Sequence, residues 1–272
     1  MTEVTVAKTA GFCIGVKNAI EMAFSAAKDD VYILGELVHN PSVVMQLEKA
    51  GVKKVDDYHD ITKGSTLIIP SHGALLEVFS YCSNNGIRIV DATCSYVKNV
   101  QDTATMLAGE GYKVIIIGKK GHPEVNSIAS RAADSIIVSS ADEIPGNGKL
   151  AVVCQTTLTE EKLNEIKNAV INYKELRVYN STCLATRKRQ DDAKELSKKV
   201  DVMIVIGGKN SSNTQELKET CAKLVETHLV EDESELDPAW LNVKKVGVTA
   251  GASTPKEVIE KVVQKIEDVK NG

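Results

Sequence analysis

The sequence contains no run of lysines and arginines, and its formal net charge of −4 provides no electrostatic footprint for nucleic acid or an anionic membrane surface. Neither partner is expected. It also lacks any apolar run of about 18 residues, the length that crosses a bilayer. The opening MTEVTVAKTAGFC has neither a basic segment nor an apolar one, so the expected location is the cytoplasm. No segment is linker-like or disordered in composition. With 43% hydrophobic and 26% charged residues, the 272-residue chain can bury a sizeable core. In a reducing compartment its cysteines, Cys13, Cys82, Cys94, Cys154, Cys183 and Cys221, are expected as buried apolar groups, metal ligands or catalytic thiols rather than disulfides.

Short β-branched runs are plentiful: EVTVA, VYILG, TLIIP, IRIVDA, KVIIIG, DSIIV, KLAVV, LRVYN, VMIVIG and VGVTA. Stretches with helical apolar spacing lie between most of them, and this alternation predicts an α/β protein with parallel sheets. Asn40 and Pro41 read as the cap and first residue of a helix ending at Gly51, and Thr254-Pro255 opens the last helix.

The chain also repeats itself. IVDATC ends at Cys94 and VYNSTC at Cys183, a spacing of 183 − 94 = 89, and IIIGKKGH and IVIGGKNS set Gly118 and Gly207 apart by the same 207 − 118 = 89. A weaker third copy comes first, with VAKTAGFC ending at Cys13 and YILGELVH placing His39 four residues after Gly35. His122 and Ser211 follow Gly118 and Gly207 by the same four residues. Each copy has a further strand with a polar end, marked by His72, Thr156 and Ser253. The expected architecture is three similar α/β units in a pseudo-threefold arrangement around a centre. Their approximate bounds are 14–95, 96–184 and 185–272, with the N-terminal strand completing the ring.

Ligands of parallel α/β sheets bind beyond the carboxyl ends of the strands, where helix N-termini direct N–H groups. Cys13, Cys94 and Cys183 each stand just before a helical stretch, where the helix dipole favours thiolate. Three converging thiolates form a soft metal site. They could hold zinc with one open position or a [4Fe–4S] cluster with one free iron, and spacing alone does not choose. Cys82 falls at helical spacing with Leu75 and Phe79, Cys221 with Leu217 and Leu224, and Cys154 lies in an apolar strand, so all three are expected in the core. His59 and His228 are expected at the surface. His39, His72 and His122 end apolar strands and mark a site.

GFCIGV, LVHN, PSHG, DATCSYV, GHPEV, QTTLT, CLATRKRQ, GGKNSSN and VTAGAS occur in this order from near the first residue to the last helix. This ordered set resembles the 4-hydroxy-3-methylbut-2-enyl diphosphate reductase family, iron–sulfur enzymes that end the methylerythritol phosphate route to isoprenoids. The resemblance implies that Cys13, Cys94 and Cys183 ligate three irons of a [4Fe–4S] cluster and leave the fourth for substrate. It further implies that His39, His72, His122, Ser211, Asn213 and Ser253 hold the diphosphate with Ser212 beside them, while Glu124 and Thr156 face the substrate hydroxyl. The implied reaction is a reductive dehydroxylation to isopentenyl and dimethylallyl diphosphate, with a ferredoxin or flavodoxin as electron donor. The KKG of GKKGHPEV is not a phosphate-binding Walker loop, because G-x-x-x-x-G-K-[ST] is missing. Two other readings account for less of the pattern. Another threefold iron–sulfur enzyme, similar to quinolinate synthase, would not require GHPEV beside GGKNSSN. A non-enzymatic zinc- or phosphate-binding protein would make the cysteines structural.

Overall fold

The computed structural model describes residues 3–27, 30–146, 148–169 and 175–271. The first elements are β1 (Glu3–Val6), α1 (Ile14–Ala26), β2 (Val31–Leu34), α2 (Pro41–Lys49), β3 (Lys53–Val55), β4 (Thr66–Ile69), α3 (Leu76–Asn85) and β5 (Arg88–Asp91). Then follow α4 (Ser95–Gly109), β6 (Lys113–Ile117), α5 (Pro123–Ala129), β7 (Ile136–Val138), β8 (Leu150–Cys154), α6 (Glu160–Ala169) and β9 (Leu176–Val178). The last are α7 (Leu184–Ser197), β10 (Val202–Ile206), α8 (Ser212–Ala222), β11 (Glu226–Val230), β12 (Lys245–Ala250) and α9 (Lys256–Asn271).

Among the described residues the strands form three four-stranded, wholly parallel sheets, ordered β3-β2-β4-β5, β7-β6-β8-β9 and β11-β10-β12-β1. The same order recurs three times. In each sheet the strand that runs into a glycine turn (β2, β6, β10) pairs with the strand that ends in polar groups (β4, β8, β12). That strand in turn pairs with an edge strand leading to a cysteine (β5, β9, β1). In the third sheet the cysteine strand comes from the N-terminus, Glu3–Val6 against Lys245–Val248.

Two compact units arise from the chain. One comprises residues 1–16, 39–43 and 184–272 and holds a single sheet. Residues Val202, Ile204 and Ile206 of β10 pack with Val262 and Ile266 of α9, while Met203 and Val205 on the other face meet Leu217 and Cys221 of α8. The second comprises residues 17–38 and 44–183 and holds the other two sheets. There Val114, Ile116 and Val153 pack under Val100, Leu107 and Ile128, and Ile115, Val152 and Cys154 under Leu163 and Ile166. Covering a strand on both faces demands apolar residues at every position rather than every other one. Each such side chain contributes about 1.5–3 kcal/mol on burial.

Helix starts agree with expectation. Asn40 caps α2, its Oδ1 accepting from Ser42 N–H at 3.0 Å and Val43 N–H at 3.3 Å. Cys82, Cys154 and Cys221 are fully buried. Three details differ from the sequence reading. Leu75 is 36% and Leu224 48% exposed, so each lies off the apolar face that its neighbouring cysteine occupies. His228 is half-buried in β11, stacked on Trp240 at 3.9 Å with Nε2 2.8 Å from Glu226 Oε1, and is not a plain surface histidine. The strands β3 and β11 were not among the apolar runs.

Candidate active site

In the single-sheet unit, the polar ends of β10 and β12 gather around the head of α8. Ser211 is the N-cap, and its Oγ accepts from Thr214 N–H at 3.4 Å. Its own N–H donates to Gly208 carbonyl at 3.0 Å, which folds GGKNSSN into a tight turn. Gly208 is required by proximity: a Cβ there would lie 2.6 Å from the His39 carbonyl oxygen. The same carbonyl accepts from Ser253 Oγ at 3.3 Å. Ser253 and the loop before Ser211 thus meet at the His39 carbonyl, and Ser212 and Asn213 follow Ser211 in the first turn of α8. Among the described residues, the Ser212 hydroxyl and the Asn213 amide nitrogen are buried with no hydrogen-bond partner. Such donors cost free energy unless something accepts from them, and they stand in the first turn of a helix whose dipole favours an anion.

In the two-sheet unit His122, Glu124, Thr156 and Ser127 are hydrogen-bonded to one another or to the backbone. His122 caps α5, its Nδ1 accepting from Glu124 N–H at 3.1 Å. In a neutral ring the proton therefore resides on Nε2, leaving that atom a donor. The His72 ring meets it edge-on, centroids 5.5 Å apart. Glu124 is 3% exposed, its Oε1 accepting from Thr156 N–H at 2.6 Å and its Oε2 from Thr156 Oγ at 3.0 Å. Burial raises its carboxyl from the ordinary 4.5 to about 7, against the opposing pull of both Thr156 bonds. A carboxyl poised near neutrality can give and regain a proton. Ser127 was missed from sequence, although it lies one helical turn beyond Glu124. Its Oγ lies 3.0 Å from the His72 carbonyl and 2.8 Å from that of Glu124, and Gln101 Nε2 donates to it at 3.0 Å.

The cysteines fall at matching points. None of the six is joined in a disulfide. Cys13, Cys94 and Cys183 immediately precede α1, α4 and α7. Cys13 N–H donates to Ala252 carbonyl at 3.2 Å, Cys94 N–H to Ser71 at 3.0 Å and Cys183 N–H to Thr156 at 2.9 Å. Each acceptor is a polar-ended strand's own terminus, next to Ser253, next to His72, or Thr156 itself. Thr156 therefore serves Glu124 through its N–H and hydroxyl and Cys183 through its carbonyl. Val16 N–H donates to Cys13 Sγ at 3.4 Å. Among the described residues no group of three or more His, Cys, Asp or Glu side chains is placed to hold a single metal ion. Each of the three cysteines stands at a helix head with its backbone tied, and the cysteine thiolate is the ligand type that iron–sulfur clusters take.

The model of the LytB protein family matches residues 4–267. The chain belongs to the LytB family. Among its curated relatives, two proteins named 4-hydroxy-3-methylbut-2-enyl diphosphate reductase are each 44% identical to it. That of Citrifermentans bemidjiense aligns over 276 residues, 98% of both chains. That of Geobacter sulfurreducens aligns over 278 residues, 99% of this chain and 98% of its own. A solved structure of (E)-4-hydroxy-3-methyl-but-2-enyl diphosphate reductase, the terminal enzyme of the non-mevalonate pathway, is 38% identical with a TM-score of 0.70, covering 98% of this chain and 100% of that one. The Plasmodium falciparum E-1-hydroxy-2-methyl-but-2-enyl-4-diphosphate reductase is 31% identical with a TM-score of 0.90, covering 97% and 87%. The family match spans residues 4–267, and the motifs read from sequence all lie within it.

Proposed function

We propose that this LytB family protein reduces 4-hydroxy-3-methylbut-2-enyl diphosphate to isopentenyl and dimethylallyl diphosphate, the last step of the methylerythritol phosphate route. The observation that carries the reading is the buried Glu124–Thr156 pair, a carboxyl held near neutral pKa by burial and aligned by two hydrogen bonds. The reaction breaks the C–O bond of an allylic alcohol and forms a C–H bond. Two electrons and two protons enter, and water leaves. Hydroxide is a poor leaving group, so one proton must reach the oxygen as the bond breaks. Protonated Glu124 supplies it, with the Thr156 hydroxyl as the adjoining relay, and the second proton ends on the allylic carbon.

The diphosphate is held by His39, His72, His122, Ser211, Asn213 and Ser253, with Ser212 beside them. The donors of Ser212 and Asn213 and the Nε2–H of His122 support that role, since uncharged donors and a helix head can bind an anion in a chain of net charge −4. Cys13, Cys94 and Cys183 would hold a [4Fe–4S] cluster. When bound, this group would supply electrons singly and a Lewis-acidic iron. A ferredoxin or flavodoxin delivers the electrons, and the location is the cytoplasm; among the described residues no helix is long and apolar enough to cross a membrane. Three units of about 14–95, 96–184 and 185–272, the last completed by the N-terminal strand, are the organisation that the recurring strand order supports.

The test is anaerobic: reduced viologen, reconstituted protein and 4-hydroxy-3-methylbut-2-enyl diphosphate. Substrate-dependent dye oxidation, lost in Cys94→Ala, is expected. A brown, cluster-loaded sample that leaves the dye reduced would remove the reading.

A further inference from the structure

Two of the three cysteine loops are self-held. Before Cys94, Asp91 Oδ1 accepts from Thr93 N–H at 3.0 Å and from Thr93 Oγ at 2.5 Å. Before Cys183, Asn180 Oδ1 accepts from Thr182 N–H at 3.2 Å and from Thr182 Oγ at 2.6 Å. The loop before Cys13 has no Asx-x-Thr-Cys sequence and is longer. From the Val6–Val248 pair to the Cys13–Ala252 bond it advances 13 − 6 = 7 residues while its neighbour advances 252 − 248 = 4. The corresponding advances are 94 − 91 = 3 against 71 − 69 = 2 before Cys94, and 183 − 178 = 5 against 156 − 152 = 4 before Cys183.

The missing acceptor comes from α7. Asp192 Oδ2 accepts from Thr9 N–H at 2.8 Å and Thr9 Oγ at 3.1 Å, the same pair of donors from the same residue type. Arg189, 3% exposed and one turn earlier on α7, donates through Nε to the Thr9 carbonyl at 3.1 Å and through Nη2 to the Gly11 carbonyl. Gly11 has φ +93, and a Cβ there would press on Ile259 Cδ1 at 3.1 Å and Thr254 O at 3.3 Å. The loop thus follows a path that local sequence would not hold. At the repeat-equivalent positions 89 residues earlier stand Val100 and Thr103, neither of which could serve as a charged clamp.

The geometry points to Arg189 and Asp192 as positioning residues for Cys13, replacing from a distant helix the carboxylate or carboxamide that the other two cysteine loops carry themselves. This rests on the reading of Cys13 as a cluster ligand, and it predicts that one iron-binding arm depends on residues outside the site. Hydrogen exchange and cluster bleaching test it together. In Asp192→Ala, amides of residues 7–13 should exchange on the order of tenfold faster, while peptides spanning 91–97 and 180–186 stay unchanged. In the reconstituted protein the visible cluster absorbance should bleach several-fold faster in air. Asp192→Asn should behave as wild type, since a carboxamide accepts from Thr182 in the same way. Unchanged exchange at 7–13 in a folded Asp192→Ala protein would overturn the inference, as would Asp192→Asn exchanging as fast as Asp192→Ala. If wild-type protein took up no cluster, the iron–sulfur reading would fall, and the exchange comparison would still decide this one.

Discussion

Glu124 in the two-sheet unit and the head of α8 in the single-sheet unit use their hydrogen bonds in opposite ways. In the two-sheet unit Glu124, Thr156 and Ser127 are bonded to one another and to the backbone, and both carboxylate oxygens of Glu124 are occupied. In the single-sheet unit Ser212 and Asn213 stand at the head of α8 with donors unmatched by any described residue. A closed network fixes the place and proton affinity of one group, whereas open buried donors cost stability until an anion accepts from them. The first arrangement suits proton delivery and the second suits diphosphate binding.

The largest expected effect breaks the closed side. Glu124→Gln retains both contacts to Thr156, with its oxygen accepting and its amide donating, but has no proton to give. Turnover should fall by about 10²–10⁴-fold while equilibrium binding of the substrate diphosphate changes little. Breaking the open side should do the reverse. Asn213→Ala should raise KM by about 10- to 100-fold, the loss of one hydrogen bond to a charged group, and leave the pH profile of turnover in place.

The raised carboxyl sets a third contrast, read by stability. Glu124 binds its proton more tightly folded than unfolded, so its contribution to stability is complete below pH 4.5 and is lost as pH rises through about 7. Glu124→Gln should therefore gain stability relative to wild type between pH 5 and pH 8, by at most roughly 3 kcal/mol. Thermal melts of both proteins at the two pH values check this; a gap that stays constant with pH would contradict it. The smallest effect belongs to Ser127→Ala, which frees two carbonyls and the Gln101 amide. It should cost about 1–3 kcal/mol of stability and weaken His72 and Glu124 together.

Much of this was legible from residues. The strands β4, β6, β8 and β10 are covered on both faces and read as unbroken apolar runs. The identical offsets of cysteine and glycine motifs exposed the repeat before any strand was paired. KKV of β3 and ETHLV of β11 carry no such signal, because each is an edge strand defined by the neighbour it pairs with rather than by its own pattern. Leu224 sat at helical spacing yet is exposed, since α8 stops at Ala222, before it. Among the site residues, those in ordered motifs were named from sequence. Ser127 and the Arg189–Asp192 pair were not, because their partners are elsewhere in the chain and only folding brings them together.

The most direct test of the account is an infrared titration of the Glu124 carboxyl, read as the difference between wild type and Glu124→Gln. A protonated carboxyl band that disappears with a midpoint near pH 7 is the predicted result. A midpoint near 4.5 would leave the carboxylate ionised at working pH and would contradict the assignment of Glu124 as the proton donor.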